Sequence, residues 1–295
     1  MPVHRLHENS RVGESSVATV NDFPVITPQS LDEALDALAS VQNVRPLAGG
    51  TDLMVLLESG ALRPCTFLNI QDLPELKSPD RITALTTYRD IRVGHWKTRF
   101  PMLAAAAREV GALAIQSRGT WIGNVANASP AADGVPALMA YDAELEIARR
   151  GERRRVPLAT FYRGYKQMDL RADELITEIH LPAPSPGFVE YYRKVGARRF
   201  QAISKTLLAG RIRFAADSTI ADIRLVFASV APFTLRAFQA EALLRGRQLT
   251  QESVADAAKA IQDEIRPIDD IRSNEAYRRK VTANLLRDFL EGLIS

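Results

Sequence analysis

The sequence predicts an α+β fold in two parts. Apolar residues recur at helical spacing in some segments, while other segments are short apolar runs of strand length, bounded by glycine or proline. The parts meet at Pro182–Gly187, which holds three prolines in its first five residues and cannot continue a helix or a sheet. We therefore expect a flexible extension over 1–22, a first region over 23–181 and a second region over 188–295.

The first region is predicted to begin with a helix over 31–42. Glu33 follows Ser30 by three residues, which is the spacing of a capping box, and apolar residues then repeat on one face. The other expected elements are strands at 44–47, 66–70, 81–85 and 175–181, a helix at 101–110, and a hairpin with strands at 143–148 and 156–158. The basic run within this hairpin, 149–155, is more typical of a solvated turn than of an anion-binding patch.

The second region is predicted to hold strands followed by helices. Strands are expected at 189–193 and 223–230, and helices at 235–244, 251–265 and 274–292. The last helix carries apolar residues at four-residue spacing, at Tyr277, Val281, Leu285 and Phe289.

Composition excludes several kinds of redox centre. The chain has one cysteine, Cys65, which can form no internal disulfide and cannot supply the roughly four ligands of an iron–sulfur cluster. The histidines are scattered, and we predict no protein-bound metal. His95 and His180 are expected to be surface or core residues, His180 in an alternating strand with one wet face. Redox chemistry would therefore need an organic cofactor.

The charge and hydropathy of the sequence indicate neither nucleic-acid binding, nor a membrane span, nor secretion. A net charge of +3 over 295 residues gives no argument for nucleic acid. No run approaches the ~18 to 20 apolar residues of a membrane span. The N-terminus lacks the apolar core of a secretion signal, so we expect a cytoplasmic protein.

The segment from Pro46 to Leu53 is suited to bind a phosphate. Its paired glycines, Gly49 and Gly50, follow a predicted strand, where positive φ angles would let successive backbone N–H groups converge on an anion. Thr51 adds a hydroxyl donor. An ordinary turn is the alternative, since the two common glycine-rich nucleotide fingerprints are both absent.

A second segment of this kind runs from Gly119 to Asp133. It offers hydrogen-bonding side chains at Thr120, Asn124, Asn127 and Ser129, with Gly123 as a point of close backbone approach. Because it lacks periodicity, the stretch 117–136 is predicted to be irregular, and loops of this length are usually functional or disordered. The carboxylate of Asp133 could accept hydrogen bonds from ligand hydroxyls, or it could cap a helix over 134–140.

Together these residues resemble the FAD subunits of the molybdenum hydroxylases, a family that includes the carbon monoxide dehydrogenase medium subunit and the flavin segment of xanthine dehydrogenase. The two motifs are Ala48–Leu53 and Thr120–Asn124, the second continued by Ala128–Asp133. Later landmarks of the family follow in order at Gly151–Leu158, Glu174–Pro182, Tyr192–Arg198 and Asp270–Arg278. The similarity runs from residue 22 to the end of the chain.

The resemblance implies a two-lobed FAD-binding region of the vanillyl-alcohol-oxidase type, with lobes over 23–75 and 76–181, and a smaller α+β C-terminal domain. It also implies a reaction divided among subunits: a molybdenum-cofactor large subunit oxidises the substrate, and an iron–sulfur small subunit passes the electrons to FAD on this chain. No catalytic residue is expected here. FAD then delivers the electrons to a final acceptor.

The resemblance also implies which residues contact FAD. The first segment would hold the diphosphate, and Thr120 to Asn124 would complete the clasp. Asp133 would be a further FAD contact, Ile176 would lie in a strand that touches the flavin region, and Lys194 would lie near the isoalloxazine. The implied contacts are Pro46, Leu47, Ala48, Gly49, Gly50, Thr51, Asp52, Leu53, Thr120, Gly123, Asn124, Asp133, Ile176 and Lys194.

One position departs from the family's pattern. The second motif usually has two adjacent glycines before its asparagine, whereas Ile122 precedes Gly123 in this chain. If that position required a positive φ, isoleucine would be strained there. Trp121, the preceding residue, is expected at a surface or an interface.

Two other functions are compatible with the residues. A self-sufficient flavin oxidase or dehydrogenase would turn over a substrate as the isolated chain. A scaffold subunit that has lost FAD would be colourless.

Overall fold

The computed structural model describes residues 22–199 and 201–294, and its fold is α+β as predicted. The extension predicted over 1–22 lies outside these residues apart from Asp22. The strands are β1 (Val25–Ile26), β2 (Val44–Leu47), β3 (Thr66–Asn69), β4 (Ile82–Thr83), β5 (Glu144–Arg149), β6 (Glu152–Pro157), β7 (Tyr162–Gly164), β8 (Gln167–Met168), β9 (Leu175–His180), β10 (Val189–Val195), β11 (Thr206–Phe214), β12 (Ile220–Ala228) and β13 (Leu235–Arg236). The helices are α1 (Leu31–Ser40), α2 (Leu53–Glu58), α3 (Tyr88–Val93), α4 (Trp96–Arg99), α5 (Pro101–Glu109), α6 (Leu113–Gln116), α7 (Trp121–Asn127), α8 (Gly134–Ala140), α9 (Leu158–Phe161), α10 (Phe238–Leu244), α11 (Gln251–Glu264) and α12 (Glu275–Glu291). None of the helices in the described part of the chain has both the length and the hydropathy needed to cross a membrane.

The first helix begins where its capping residues predict. The Ser30 hydroxyl accepts a hydrogen bond from the N–H of Glu33 at 3.2 Å, and the Glu33 carboxylate accepts one from the N–H of Gln29 at 2.7 Å. Helix α1 ends at Ser40 rather than at residue 42, since the chain turns through Asn43, with a left-handed φ of 53°, into β2.

Three sheets organise the chain. Strands β1, β3 and β2 form a parallel sheet with β3 in the centre. Strands β4, β9, β5 and β6 form an antiparallel sheet in that order, and β10, β11, β12 and β13 form another. The short strands β7 and β8 form a separate hairpin.

The strand β9 is buried along almost its whole length. Leu175 to Ile179 are all buried, so the alternating pattern predicted for this strand is wrong. The strand lies between β4 and β5, and helix α7 packs against it. Both faces of β9 are therefore covered, and even its polar residues Thr177 and Glu178 are buried. His180, at its end, is half-buried rather than on a wet face.

The C-terminal sheet contains a central strand that the sequence did not predict. Side chains of β11 enter two cores: Leu207 and Ala209 pack with the first region, and Leu208 and Ile212 pack with residues of α10, α11 and α12. Helix α8, whose residues are all buried, packs against β11 and β12. Because both faces are covered, β11 is buried from Thr206 to Ile212. Its sequence therefore lacks the alternation of apolar and polar residues that identifies a half-buried strand.

The stretch 117–136 is also more ordered than predicted. It contains α7, a helix of seven residues, and the first residues of α8, which spans 134–140 as predicted. A helix of seven residues is too short to show clear periodicity, since typical helices run to roughly 8–20 residues. The helix predicted over 235–244 begins instead as β13 and becomes helical at Phe238.

We predict that Gly210→Ala destabilises the C-terminal sheet. A Cβ atom at Gly210 on β11 would lie 2.6 Å from Cε1 of Phe289 on α12, inside any normal contact distance. Overpacking of this kind costs about 1–3 kcal/mol, to be measured by urea unfolding. In the Gly210→Ala/Phe289→Leu double variant, the smaller side chain should relieve part of the clash. The double variant should then lose less unfolding free energy than the sum of the losses in the two single variants. A Gly210→Ala protein as stable as wild type would contradict this packing.

Candidate functional site

The two glycine segments meet through their backbones. A Cβ atom at Gly49 would lie 2.0 Å from the carbonyl oxygen of Arg118 and 3.0 Å from Cα of Gly119. A Cβ atom at Gly119 would in turn lie 3.3 Å from the hydroxyl oxygen of Thr51. Only glycine at position 49 allows this approach, so the fold brings together the two segments that the sequence singled out.

The first segment presents a row of backbone donors. It leaves β2 at Leu47, passes through Gly50 with a φ of +73°, and enters α2 at Leu53. Leu47 and Leu53 pack against the small core of Phe23, Leu62, Cys65 and Phe67, which fixes both ends of the segment. Within residues 22–199 and 201–294, the N–H groups of Gly49 to Asp52 donate no hydrogen bond to the protein. Such a run of free N–H groups is what an anion needs.

The second segment is the start of a helix. The Thr120 hydroxyl caps α7 by accepting a hydrogen bond from the N–H of Gly123 at 3.0 Å, and a Cβ atom at Gly123 would lie 2.8 Å from that hydroxyl oxygen. The expected irregular loop is therefore wrong at this point. The positive φ that would strain Ile122 is absent, because Ile122 is the second residue of the helix.

Trp121 is a core residue and not a surface residue as predicted. It is fully buried, and its ring lies 5.2 Å from that of Tyr88 on α3. The start of α7 is anchored in the main core by three buried bulky side chains, those of Tyr88, Trp121 and Ile122. This packing keeps the Thr120 cap in place.

Asn124 carries an unpaired acceptor beside the second segment. Its Oδ1 atom is buried and has no hydrogen-bond partner among the described residues. The same atom lies 2.9 Å from the position of a Cβ atom at Gly134, so it faces the start of α8. An unpaired buried oxygen costs about 1–3 kcal/mol, and a donor from a bound molecule would remove that cost.

Asp133 and Lys194 form a buried ion pair, although they are 61 residues apart in the sequence. Lys194 Nζ lies 2.7 Å from Oδ2 of Asp133 and also donates to the carbonyl oxygen of Glu109 at 2.9 Å. The Ser204 hydroxyl donates to Oδ1 of Asp133 at 2.6 Å, and the Tyr192 hydroxyl donates to its backbone oxygen at 2.9 Å. Asp133 makes no side-chain cap to α8, so that alternative is not what the structure shows. Burial raises the pKa of Asp133, although Lys194 and Ser204 work in the opposite direction.

The pair joins the two parts of the chain. Asp133 precedes α8 in the first region, whereas Lys194 lies on β10 and Ser204 just before β11. Sequence reasoning missed Ser204, Tyr192 and Glu109, since nothing local marks them as neighbours of Asp133.

Ile176 differs from the other predicted contacts. It lies on β9 opposite Ile147, is 2% exposed and packs within the main core. It is not brought to the glycine segments in the way that Thr120 or Gly123 is, and its contact with the flavin region stays a prediction.

A further charged group lies at the C-terminal end of α7. Lys166, at the turn between β7 and β8, donates hydrogen bonds to the backbone oxygen of Asn127 and to its Oδ1, the latter at 2.9 Å. Asp52 of the first segment lies close enough to Asn127 and Lys166 for both to act against the rise in its pKa that burial causes. No motif in the sequence pointed to Lys166.

A group of possible metal ligands lies elsewhere, at His180, Glu146 and Glu178. His180 Nε2 lies 3.3 Å from Glu146, and His180 Nδ1 lies 3.5 Å from Glu178. Each carboxylate already has an arginine partner, Arg153 on Glu146 at 2.6 Å and Arg81 on Glu178 at 2.7 Å. The group is therefore accounted for as an ion-pair network.

Two small cavities also lie apart from the glycine segments. Their volumes are about 170 and 140 Å³, and both are lined in part by Arg99 and Phe100. Neither includes a residue of 46–53 or of 119–133. Neither cavity is therefore the place where the free N–H groups of the glycine segments would bind a ligand.

Comparisons with known proteins show the family and the overall fold of the chain. A family model described as the FAD binding domain in molybdopterin dehydrogenase matches residues 20–184, and one described as the CO dehydrogenase flavoprotein C-terminal domain matches residues 190–293. The chain is 32% identical to the glyceraldehyde dehydrogenase medium chain of Sulfolobus acidocaldarius, over 88% of this chain and 94% of that protein. It is 26% identical to the xanthine dehydrogenase FAD-binding subunit of Escherichia coli O157:H7, over 84% and 88%. A solved structure of carbon monoxide dehydrogenase from Hydrogenophaga pseudoflava superposes with a TM-score of 0.85 at 28% identity, covering 90% of this chain and 95% of that one.

We predict that Thr120→Val destabilises the protein by about 1 kcal/mol, because it removes the cap of α7 while keeping the side-chain volume. Thr120→Ser, which keeps the hydroxyl, should lose much less. Thr250→Val is the matched control, because the Thr250 hydroxyl caps α11 in the C-terminal part by accepting a hydrogen bond from the N–H of Ser253 at 3.1 Å. Urea unfolding measures all three. If Thr250→Val loses stability and Thr120→Val does not, the Thr120 hydroxyl is not a working cap.

Proposed function

The chain belongs to the family of FAD-binding subunits of the molybdopterin dehydrogenases, and from that premise we propose that it holds FAD as an electron carrier between a partner subunit and a final acceptor. FAD suits this position because it takes up electrons singly and can release them in pairs. The protein's own task is then to bind the cofactor, to orient it and to set its electrostatic surroundings.

The observation that carries this proposal is the contact of Gly49 with Arg118 and Gly119. This contact brings the free N–H groups of the first segment beside the Thr120 hydroxyl that caps α7. A diphosphate, with negative charge on both phosphates, is a ligand that such a clasp fits. The buried, unpaired Oδ1 of Asn124 supports the same reading, since a ribityl or ribose hydroxyl would satisfy it.

We propose that the FAD contacts follow the family's motifs. Residues 46–53 hold the diphosphate, and Thr120, Gly123 and Asn124 complete the clasp. Asp133 and Lys194 lie beside the flavin, with Ser204 and Glu109 holding them in place. We propose that Ile176 supports the site indirectly, because it lies on β9, the strand against which α7 packs.

We propose partners from the same family. The relatives are named as medium chains and FAD-binding subunits, which supports a place among several subunits. A single cysteine leaves this chain without the ligands of an iron–sulfur cluster. An iron–sulfur small subunit would therefore deliver the electrons, and a molybdenum-cofactor large subunit would oxidise the substrate. We place the complex in the cytoplasm, and the domain boundary in the proline-rich segment 182–187.

We predict that the purified chain is yellow and releases FAD on acid or heat treatment, without a covalent link. Gly50→Val should remove the FAD and leave the chain folded, because the side chain enters the row of N–H groups. Gly246→Val is the matched control: Gly246 has a φ of +79° in open surroundings, close to the +73° of Gly50, but lies in the C-terminal part. Both variants pay a backbone strain of about 1–3 kcal/mol, and only one should lose flavin.

Flavin absorbance after extraction and circular dichroism would be measured on the three proteins together. Loss of flavin from both variants alike would mean that the glycines serve folding. Wild-type protein that takes up no FAD, even on incubation with it, would support the scaffold function instead.

We predict that the isolated chain oxidises no organic substrate, although its flavin is reducible by dithionite. The charged side chains beside the two segments are already engaged, Asp133 with Lys194 and Ser204, and Lys166 with Asn127. Anaerobic mixing with aldehydes, purines and N-heterocycles should leave the flavin absorbance unchanged until the partner subunits are added. Bleaching by any of these compounds alone would favour the self-sufficient oxidase.

A further inference from the structure

The hairpin of β7 and β8 contacts the helix that the second segment begins. Tyr162 on β7 donates from its hydroxyl to the backbone oxygen of Val125 at 3.0 Å, which fixes the hairpin on α7. At its turn, Lys166 adopts a left-handed φ of 56° and directs its ammonium group onto Asn127, the last residue of α7. The hairpin thus places a cation at the far end of the helix capped by Thr120.

The same end of α7 faces a carboxylate of the first segment. Asp52 and Lys166 are close enough to interact electrostatically, but in the described part of the chain they form no direct ion pair. Both side chains are exposed, yet desolvation raises the pKa of Asp52 and lowers that of Lys166. The ammonium group of Lys166 is therefore near Asp52 while it is hydrogen-bonded to Asn127.

This placement matters for any anion bound at the glycine segment. Asp52 follows the N–H groups of Gly49 to Thr51 directly, so its negative charge opposes a diphosphate at that position. A cation near Asp52 is needed to offset this repulsion. Arg118 does not supply it, because its backbone meets Gly49 while its guanidinium donates to Gln71 at 3.3 Å.

We propose that Lys166 is a positioning residue of the FAD site, and that its ammonium group offsets the charge of Asp52 and so permits the diphosphate to bind. The hairpin β7–β8 is then a third wall of the site, beside the two glycine segments. Lys166 acts through Asp52 and Asn127, and the inference rests on the proposed binding of FAD. No residue of this hairpin belongs to the motifs that mark the family in the sequence.

The test is a double-mutant cycle on the full chain, stripped of flavin and titrated with FAD by fluorescence quenching. Lys166→Gln should weaken FAD binding about tenfold at low salt, and Lys166→Arg should retain most of the affinity. In an Asp52→Asn background, where there is no charge to offset, Lys166→Gln should weaken binding about twofold or less. Lys97→Gln, on the exposed α4, is the control and should bind as wild type does.

Ionic strength gives a second readout that a purely structural role would not move. The difference between wild type and Lys166→Gln should shrink as salt rises from about 0.05 to 0.5 M, since salt screens charges near the surface. Circular dichroism of the variants should be unchanged.

The outcomes separate this inference from the function on which it rests. If wild type binds no FAD, the proposed function fails and this inference fails with it. If wild type binds FAD and Lys166→Gln binds equally well at low salt, only the role of Lys166 is overturned. An equal loss with and without Asp52 also overturns it, because Lys166 would then act through the shape of the hairpin and not through the charge of Asp52.

Discussion

The approach of Gly49 to the backbone of Arg118 and Gly119 is the constraint on which the site depends. The first segment leaves a parallel sheet, and the second begins a helix that packs on an antiparallel sheet. A Cβ atom at position 49 would lie 2.0 Å from the carbonyl oxygen of Arg118, so the two segments would have to move apart. The absence of a side chain at Gly49 therefore keeps together the two segments in which we propose that the diphosphate binds.

Helix α8 extends this coupling to the C-terminal part. It is buried along its whole length and packs between helices α5 and α7 of the first region and strands β11 and β12, with Asp133 at its start. Lys194, on β10 of the C-terminal sheet, and Ser204, just before β11, both contact Asp133. A buried ion pair is weak support for stability, because desolvation offsets most of the attraction, and here burial does raise the pKa of Asp133. Since its contribution to folding is small, the pair is consistent with the proposed role of Asp133 and Lys194 beside the flavin.

The sequence was informative where the cause of a structure is local. The cap of α1, the strand before Gly49 and the helix over 134–140 were all predicted, because each depends on a few adjacent residues. The strand β11 was not, because burial on both faces removes the alternation that identifies a strand. The pairing of Asp133 with Lys194, 61 residues away, has no local signal, and only the family resemblance drew attention to Lys194. Lys166 was missed for the same reason: its partner Asn127 lies 39 residues before it.

The departure at Ile122 shows what the second motif requires. In the structure the residue before Gly123 lies in the first turn of α7, with helical backbone angles that any L-residue adopts. Its side chain is buried beside Trp121, so it strengthens the support beneath the segment. Glycine is needed one position later, because a Cβ atom at Gly123 would meet the Thr120 hydroxyl that caps the helix. The second motif therefore depends on the cap and on one glycine, and a bulky residue in place of the first glycine leaves both of them intact.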